Sequence, residues 1–156
     1  MRLRPVPALA AAVLLAAPSQ AAALIQVDQG IGGARIGNSQ KEVKTALGDP
    51  DLVKTGSNDF GAFTQFYYAG GLRIFFQGDK EVTSATTVGT GDRTAKGIGV
   101  GSTEKSVKKK VPGVKCETSV GVRSCHTNEF EPGQRVTDFV LKSGRVVRVT
   151  VGIVVD

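Results

Sequence analysis

The chain has 156 residues, with 20 Lys and Arg against 14 Asp and Glu, two Cys, one His and no Trp. That length bounds the mature protein to one domain, and two cysteines limit it to a single disulfide. The net charge of +6 is unevenly placed: residues 28–92 carry −2 and residues 93–156 carry +6.

Met1-Arg2-Leu3-Arg4 is a short basic segment followed by the apolar run Val6 to Ala17 and the small residues Ala21-Ala22-Ala23. This is the pattern of a secretory signal peptide, here residues 1–23. The run is too short for a membrane span, which needs about 20 apolar residues. No later stretch is long and apolar enough to cross a bilayer. The expectation is a secreted, extracytoplasmic protein of about 133 residues after processing.

The chain then repeats itself at an offset of 64 residues. Ile36-Gly37-Asn38-Ser39-Gln40 is echoed by Val100-Gly101-Ser102-Thr103-Glu104, Val43-Lys44 by Val107-Lys108, and Leu47 by Val111. A fixed long period of this kind predicts a duplicated unit, with halves at 24–90 and 91–156. In the first half Ser39-Gln40-Lys41-Glu42 forms a capping box, and Val43, Ala46 and Leu47 form one apolar helical stripe. Gly48 and Asp49-Pro50 end the helix. Strands are expected at Phe63 to Tyr68, Leu72 to Gln77 and Val82 to Val88, separated by Gly-rich turns. Gly89 to Gly101, rich in Gly and polar residues, is expected to link the halves.

In the second half Ser102 or Thr103 caps a helix with Val107 and Val111 as its stripe and Pro112-Gly113 as its stop. Strands follow at Val114 to Ser119, Val122 to Thr127, Arg135 to Lys142 and Val146 to Val155. A two-residue turn at Val120-Gly121 would place Cys116 opposite Cys125 at a non-hydrogen-bonded pair, where side chains approach closely enough for a bridge. The predicted fold class is therefore α+β: two tandem repeats, each a short helix packed on an antiparallel meander.

The string Ile36-Gly37-x-Ser39-x-x-x-Val43-x-x-x-Leu47-Gly48-x-Pro50, with Tyr67-Tyr68-x-x-Gly71-Leu72 and Gly78-Asp79-Lys80-Glu81-Val82, resembles the modules of secreted β-lactamase inhibitor proteins. The small lipoproteins of outer-membrane assembly carry a similar pattern. The resemblance covers Ile31 to Val88 and, more loosely, Gly97 to Val155. It implies a helix-plus-sheet module that binds proteins and performs no catalysis.

No catalytic set emerges from the residue types. His126 adjoins Cys125, so their side chains point to opposite faces of a strand, which also breaks up a zinc site from Cys116, Cys125 and His126. Gly97-Ile98-Gly99-Val100-Gly101-Ser102-Thr103 lacks the Lys of a phosphate loop. Asp49 and Asp51 do not form a calcium loop. No metal or cofactor is expected. Nucleic acid is not an expected partner, because the aromatics lie in the acidic half and the lysines in the basic half, whereas a stacking platform needs both.

Two surfaces remain as candidates. Phe60, Tyr67 and Phe75 belong to an aromatic-rich segment, and together would anchor another extracytoplasmic protein. Lys105, Lys108, Lys109 and Lys110 cover the second helix and would attract an acidic partner or an anionic cell-wall polymer. The expected function is a secreted, non-catalytic protein-binding module, inhibitor-like in kind. The alternative is a structural protein of the cell envelope, held to anionic wall polymer by its basic second half. A cleft between the halves holding a small ligand is a third expectation.

Overall fold

The computed structural model describes residues 22–155. The predicted signal peptide, apart from Ala22 and Ala23, lies outside the described residues.

The α+β expectation of two separate helix-on-meander repeats is corrected by the topology. The chain is mostly β, and its two meanders are parts of one eight-stranded antiparallel sheet. The first meander comprises β4 (Leu52–Asn58), β5 (Gly61–Tyr68), β6 (Leu72–Gln77) and β7 (Glu81–Thr87). The second comprises β9 (Lys115–Ser119), β10 (Val122–His126), β11 (Arg135–Lys142) and β12 (Arg145–Ile153). Their last strands pair, Ser84 with Gly152, Ala85 with Val151, Thr86 with Thr150 and Thr87 with Val149. Pairing satisfies backbone groups that two separate sheets would leave open at two further edges.

A second, four-stranded sheet is built from β1 (Leu24–Gln26), β2 (Gly30–Ile31), β3 (Ala34–Arg35) and β8 (Arg93–Thr94). It contacts β7 and β12, at the middle of the large sheet. The interval 89–101 is accordingly not a solvated linker. It contributes β8 and the buried Ile98 to the core. β1 pairs in parallel with β8, so residues assigned to the first half are held by residues beyond its boundary. Asp28 extends this tie. Its carboxylate accepts the Thr127 hydroxyl at 2.5 Å, the Thr137 hydroxyl at 2.9 Å and the Asn128 amide at 3.2 Å.

The two helices, α1 (Gln40–Leu47) and α2 (Glu104–Lys110), are short, and each buries one valine, Val43 and Val107. Ser39 caps α1, accepting from the Glu42 N–H at 3.3 Å while Glu42 accepts from the Ser39 N–H at 2.7 Å. At α2 the cap is Thr103, which accepts from the Ser106 N–H at 3.2 Å. Several backbone bonds recur at the 64-residue offset. Gly37 N–H donates to the Val82 carbonyl at 2.9 Å and Gly101 N–H to the Val146 carbonyl at 2.7 Å. Thr86 and Thr150, themselves 64 apart, share a hydroxyl contact of 3.0 Å where the meanders meet. Among the described residues no helix is long and apolar enough to cross a membrane.

Alternation along the strands sorts the sheet into two faces. One carries Phe66, Ile74, Phe76, Ala85, Cys125, Phe139, Val149 and Val151, all buried in the core shared with both helices and the small sheet. The hairpin at Val120 (φ 48°) and Gly121 (φ 77°) sets the register of β9 and β10, with Cys116 paired to Cys125. The disulfide forms there, with Cα atoms 3.9 Å apart. Val120 is fully exposed and left-handed, a conformation that costs a β-branched residue about 1–2 kcal/mol. The bridge holds this strained turn closed.

Removing the disulfide by a Cys116→Ser/Cys125→Ser double substitution should lower unfolding stability by about 2–3 kcal/mol in urea titration, the chain-entropy value for so short a loop. Unchanged stability would show that the hairpin register alone holds the second edge of the sheet. A second expectation concerns the α2–β10 contact. Arg123 donates to Glu104 through Nε at 3.1 Å and Nη2 at 2.5 Å, and Lys108 Nζ lies 2.6 Å from the same carboxylate. The bond from Arg123 first, then that from Lys108, holds Glu104 down to about 2. A depressed carboxylate stabilises the fold above its ordinary range and loses that contribution as pH falls through its folded value. Wild type should therefore lose stability between about pH 4.5 and 2 relative to Glu104→Gln, with the difference vanishing at the acid end. Parallel melting curves for the two proteins across that window would remove the pair from the stability of α2.

Candidate binding face

Because both helices and the small sheet pack on one face of the large sheet, the chemistry of the other face is left for solvent or a partner. On β5 this outer face holds Phe63, Gln65 and Tyr67, and on β6 Arg73, Phe75 and Gln77. The register places Tyr67 opposite Arg73 and Gln65 opposite Phe75. Tyr67 thus joins Phe75 on one face, a relation that strand alternation alone leaves open. The Phe63 and Phe75 rings stack with centroids 5.2 Å apart. Lys54, from the edge strand β4, sits 5.1 Å over the Tyr67 ring, and the Tyr67 hydroxyl donates to Gln65 Oε1 at 2.7 Å. Phe63, Tyr67 and Phe75 are all half-buried. Phe60 is exposed at the β4–β5 turn, where its N–H donates to Asn58 Oδ1 at 2.9 Å. It stands at the end of the aromatic strip.

Beside the aromatics, across β6, β7 and β12, lies a groove of about 160 Å³. Arg73, Phe75, Ser84, Thr86, Arg148 and Thr150 line it. Among the described residues neither Arg73 nor Arg148 has a carboxylate partner within 4 Å. Two unpaired guanidiniums next to three hydroxyls suit a carboxylate or another planar anion. Sequence reasoning missed this groove, because Arg73 and Arg148 become neighbours only through the β7–β12 pairing.

At the β10–β11 end the outer face carries His126, Asp138 and the exposed Phe130, beside a groove of about 470 Å³ that Ser84, Arg148 and Thr150 also line. His126 is buried with its Nδ1 2.9 Å from the Asn128 carbonyl and its ring 4.9 Å from that of Phe130. Its Nε2 has no hydrogen-bond partner and lies 3.4 Å from Glu117. Asp138 is paired with His126 across the ladder. Burial raises the Asp138 carboxyl, while the Ser124 hydroxyl and the charges of His126 and Arg148 pull it back. Ser124, His126 and Asp138 therefore share a face. The ring, however, spends Nδ1 on a backbone carbonyl and turns Nε2 to Glu117. That is not the geometry in which a base activates a serine.

The lysines are elsewhere. α2 is joined to the core through Val107, so Lys105, Lys108, Lys109 and Lys110 lie across the sheet from Tyr67 and Phe75, exposed. Lys108 is already paired with Glu104. The two candidate surfaces thus lie on opposite sides of the sheet, and the cations beside the aromatics are Lys54 and Arg73. Glu104 also lies within 4.8 Å of both cysteine sulfurs, but in a disulfide neither is a thiolate, so the trio offers no metal site.

The chain matches no protein-family model and no curated protein. Its fold is similar to that of the uncharacterized protein YfeY from Escherichia coli, with a TM-score of 0.53, 14% identity, and coverage of 80% of this chain and 97% of that one. It is also similar to an extracellular protein containing an SCP domain from Bacillus anthracis str. Ames, with a TM-score of 0.52 and 12% identity. That match covers 76% of this chain but only 44% of the other, so the chain spans less than half the length of that neighbour. Neither is described as a β-lactamase inhibitor or an assembly lipoprotein, the groups its motifs resemble. At these identities the likeness is one of fold.

Proposed function

We propose that this chain is an extracytoplasmic, non-catalytic protein-binding module whose partner docks on the outer face of the eight-stranded sheet. One observation carries the proposal: Phe63, Tyr67 and Phe75 share a half-exposed face with Lys54 and Arg73, opposite the face that both helices cover. Aromatic and arginine side chains on a rigid surface are the usual anchors of protein interfaces. The unpaired Arg73 and Arg148 favour a partner segment with an acidic side chain beside an apolar one. Export by an N-terminal signal peptide supports an extracytoplasmic partner, and so does the disulfide. The contacts that recur at an offset of 64 support an origin by duplication within one sheet.

A second reading, retention on an anionic envelope polymer, is favoured by the exposed Lys105, Lys109 and Lys110. The two act through opposite sides of the molecule, so they separate cleanly.

In a cross-linked pull-down from the extracytoplasmic fraction, Tyr67→Ala or Phe75→Ala should reduce recovery of the wild-type partner about tenfold or more, the effect of losing an interface anchor. Equal recovery with both variants would remove the aromatic face from the proposal. For the polymer reading, Lys105/Lys109/Lys110→Glu should release the protein from isolated envelopes, as should salt near 1 M, where the screening length falls to about 3 Å. Retention under both treatments counts against it.

A further inference from the structure

The first described residues do not trail away from the fold. The exposed Ala22 and half-buried Ala23 line the edge of a pocket of about 500 Å³ whose other walls include Asp49, Asp51, Tyr68 and Asp92. Ala23 N–H donates to Asp92 Oδ1 at 2.8 Å, and the Ala23 carbonyl accepts from the Arg93 N–H at 3.2 Å. Immediately beyond, Leu24 and Ile25 pair with Arg93 and Thr94, and Ile25 is 2% exposed. The position of the Ala23 nitrogen is therefore set by the core.

Asp92 is 9% exposed, and among the described residues the donors to its carboxylate are neutral: the Ala23 N–H on one oxygen and the Thr87 hydroxyl on the other. The adjacent Arg93 turns its guanidinium to the Asp92 and Val100 carbonyls instead. A buried carboxylate without a cation is costly unless a positive charge reaches it. The backbone makes room for this arrangement. A Cβ at position 89 would lie 2.7 Å from the Gly70 carbonyl oxygen and 2.9 Å from Asp92 Oδ2, so only glycine fits. The walls add negative potential: burial first, then Asp49 and Asp51, pushes the Tyr68 hydroxyl up to about 12.

We propose that this pocket receives the chain's own processed N-terminus, the new α-ammonium at Ala22 or Ala23 being held by Asp92 and the acidic wall. Processing is a hydrolysis: water adds across the peptide bond on one side of Ala22, the departing segment keeps the carboxylate, and the mature chain gains the ammonium. A cut after Ala22 turns the Ala23 N–H into an ammonium directly on Asp92. A cut after Ala21 leaves that bond intact and places the charge one residue outward, in the same pocket. Either cut lies slightly before the 1–23 boundary expected from the signal pattern. The role is that of a latch: processing creates an ammonium beside the buried Asp92, and the pairing of β1 with β8 is secured by it.

The inference rests on the export reading, and the two fail differently. Mass spectrometry of the extracytoplasmic protein should give a first residue of Ala22 or Ala23. A mature chain beginning at Leu24 or later overturns the latch and leaves export standing, whereas an uncleaved chain recovered inside the cell overturns both. Purified protein beginning at the observed residue is then compared with the same protein after Nα-acetylation. The free amine should titrate above about pH 9, against an ordinary value near 8. A raised amine stabilises the fold below its ordinary value and loses that contribution as pH rises through the folded one. The free-amine protein should accordingly melt higher than the acetylated one below pH 8, and the gap should close by about pH 10. Asp92→Asn should return the amine to its ordinary titration. An amine that titrates near 8 in the wild type, or melting curves that do not diverge on acetylation, would overturn the latch even if Asp92→Asn fails to fold.

Discussion

β7 and β12 meet edge to edge at the centre of the large sheet. Four residue pairs, from Ser84–Gly152 to Thr87–Val149, turn two meanders into one sheet. Two separate sheets would each expose an additional edge of unpaired N–H and C=O groups, and the junction satisfies both at once. Once the strands are continuous, their apolar residues face the same way, because side chains alternate along each strand and the two register shifts return Val82 and Val146 to the core face. Ala85, Val149 and Val151 carry the core across the junction without a break.

A single covered face dictates where everything else goes. Both helices, each contributing one buried valine, and the small sheet must lie on the apolar side. The small sheet in turn draws its strands from both sides of the expected boundary, β1 to β3 from before α1 and β8 from just after β7. Asp28 and Asp92 tie this sheet down at its two ends, Asp28 to Thr127 and Thr137 and Asp92 to Thr87 and Ala23. The two halves thus share one hydrophobic core.

The uncovered face gains its properties from the same constraint. Antiparallel neighbours fix Tyr67, Arg73, Thr86 and Thr150 in a row running across the junction, with Phe63 and Phe75 stacked beside it. A face held by backbone ladders loses little conformational freedom when a partner docks, which favours recognition by rigid aromatic and guanidinium groups. The two ends differ. His126 is buried against the exposed Phe130 at the β10–β11 end, while Phe60 and the wholly exposed β4 stand at the other. Lysines on α2 belong to the opposite surface, so the molecule carries two separate basic regions, one of them among the aromatics.

Local chemistry was plain from the residues themselves. Ser39 and Glu42 announce the start of α1, Val120-Gly121 sets a hairpin that puts Cys116 against Cys125, and the alternation of Leu72, Ile74 and Phe76 marks β6, because each depends on neighbours within a few positions. β4 gave no such signal: Leu52 to Asn58 is exposed throughout and is a strand only because β5 offers it a ladder. The same is true of the two- and three-residue strands β1, β2, β3 and β8, which are too short for any periodicity. The stretch from Gly89 to Gly101 looks polar, yet Ile98 and Asp92 are buried there by elements far away in the chain. Caps, turns, the bridge and the faces of the longer strands are thus legible in the residues, all short-range matters of dihedral preference and side-chain alternation. Only the tertiary structure decided that the meanders share one sheet, that Arg73 meets Arg148 and that Asp92 meets Ala23, because those contacts depend on strand edges finding each other across more than 60 residues.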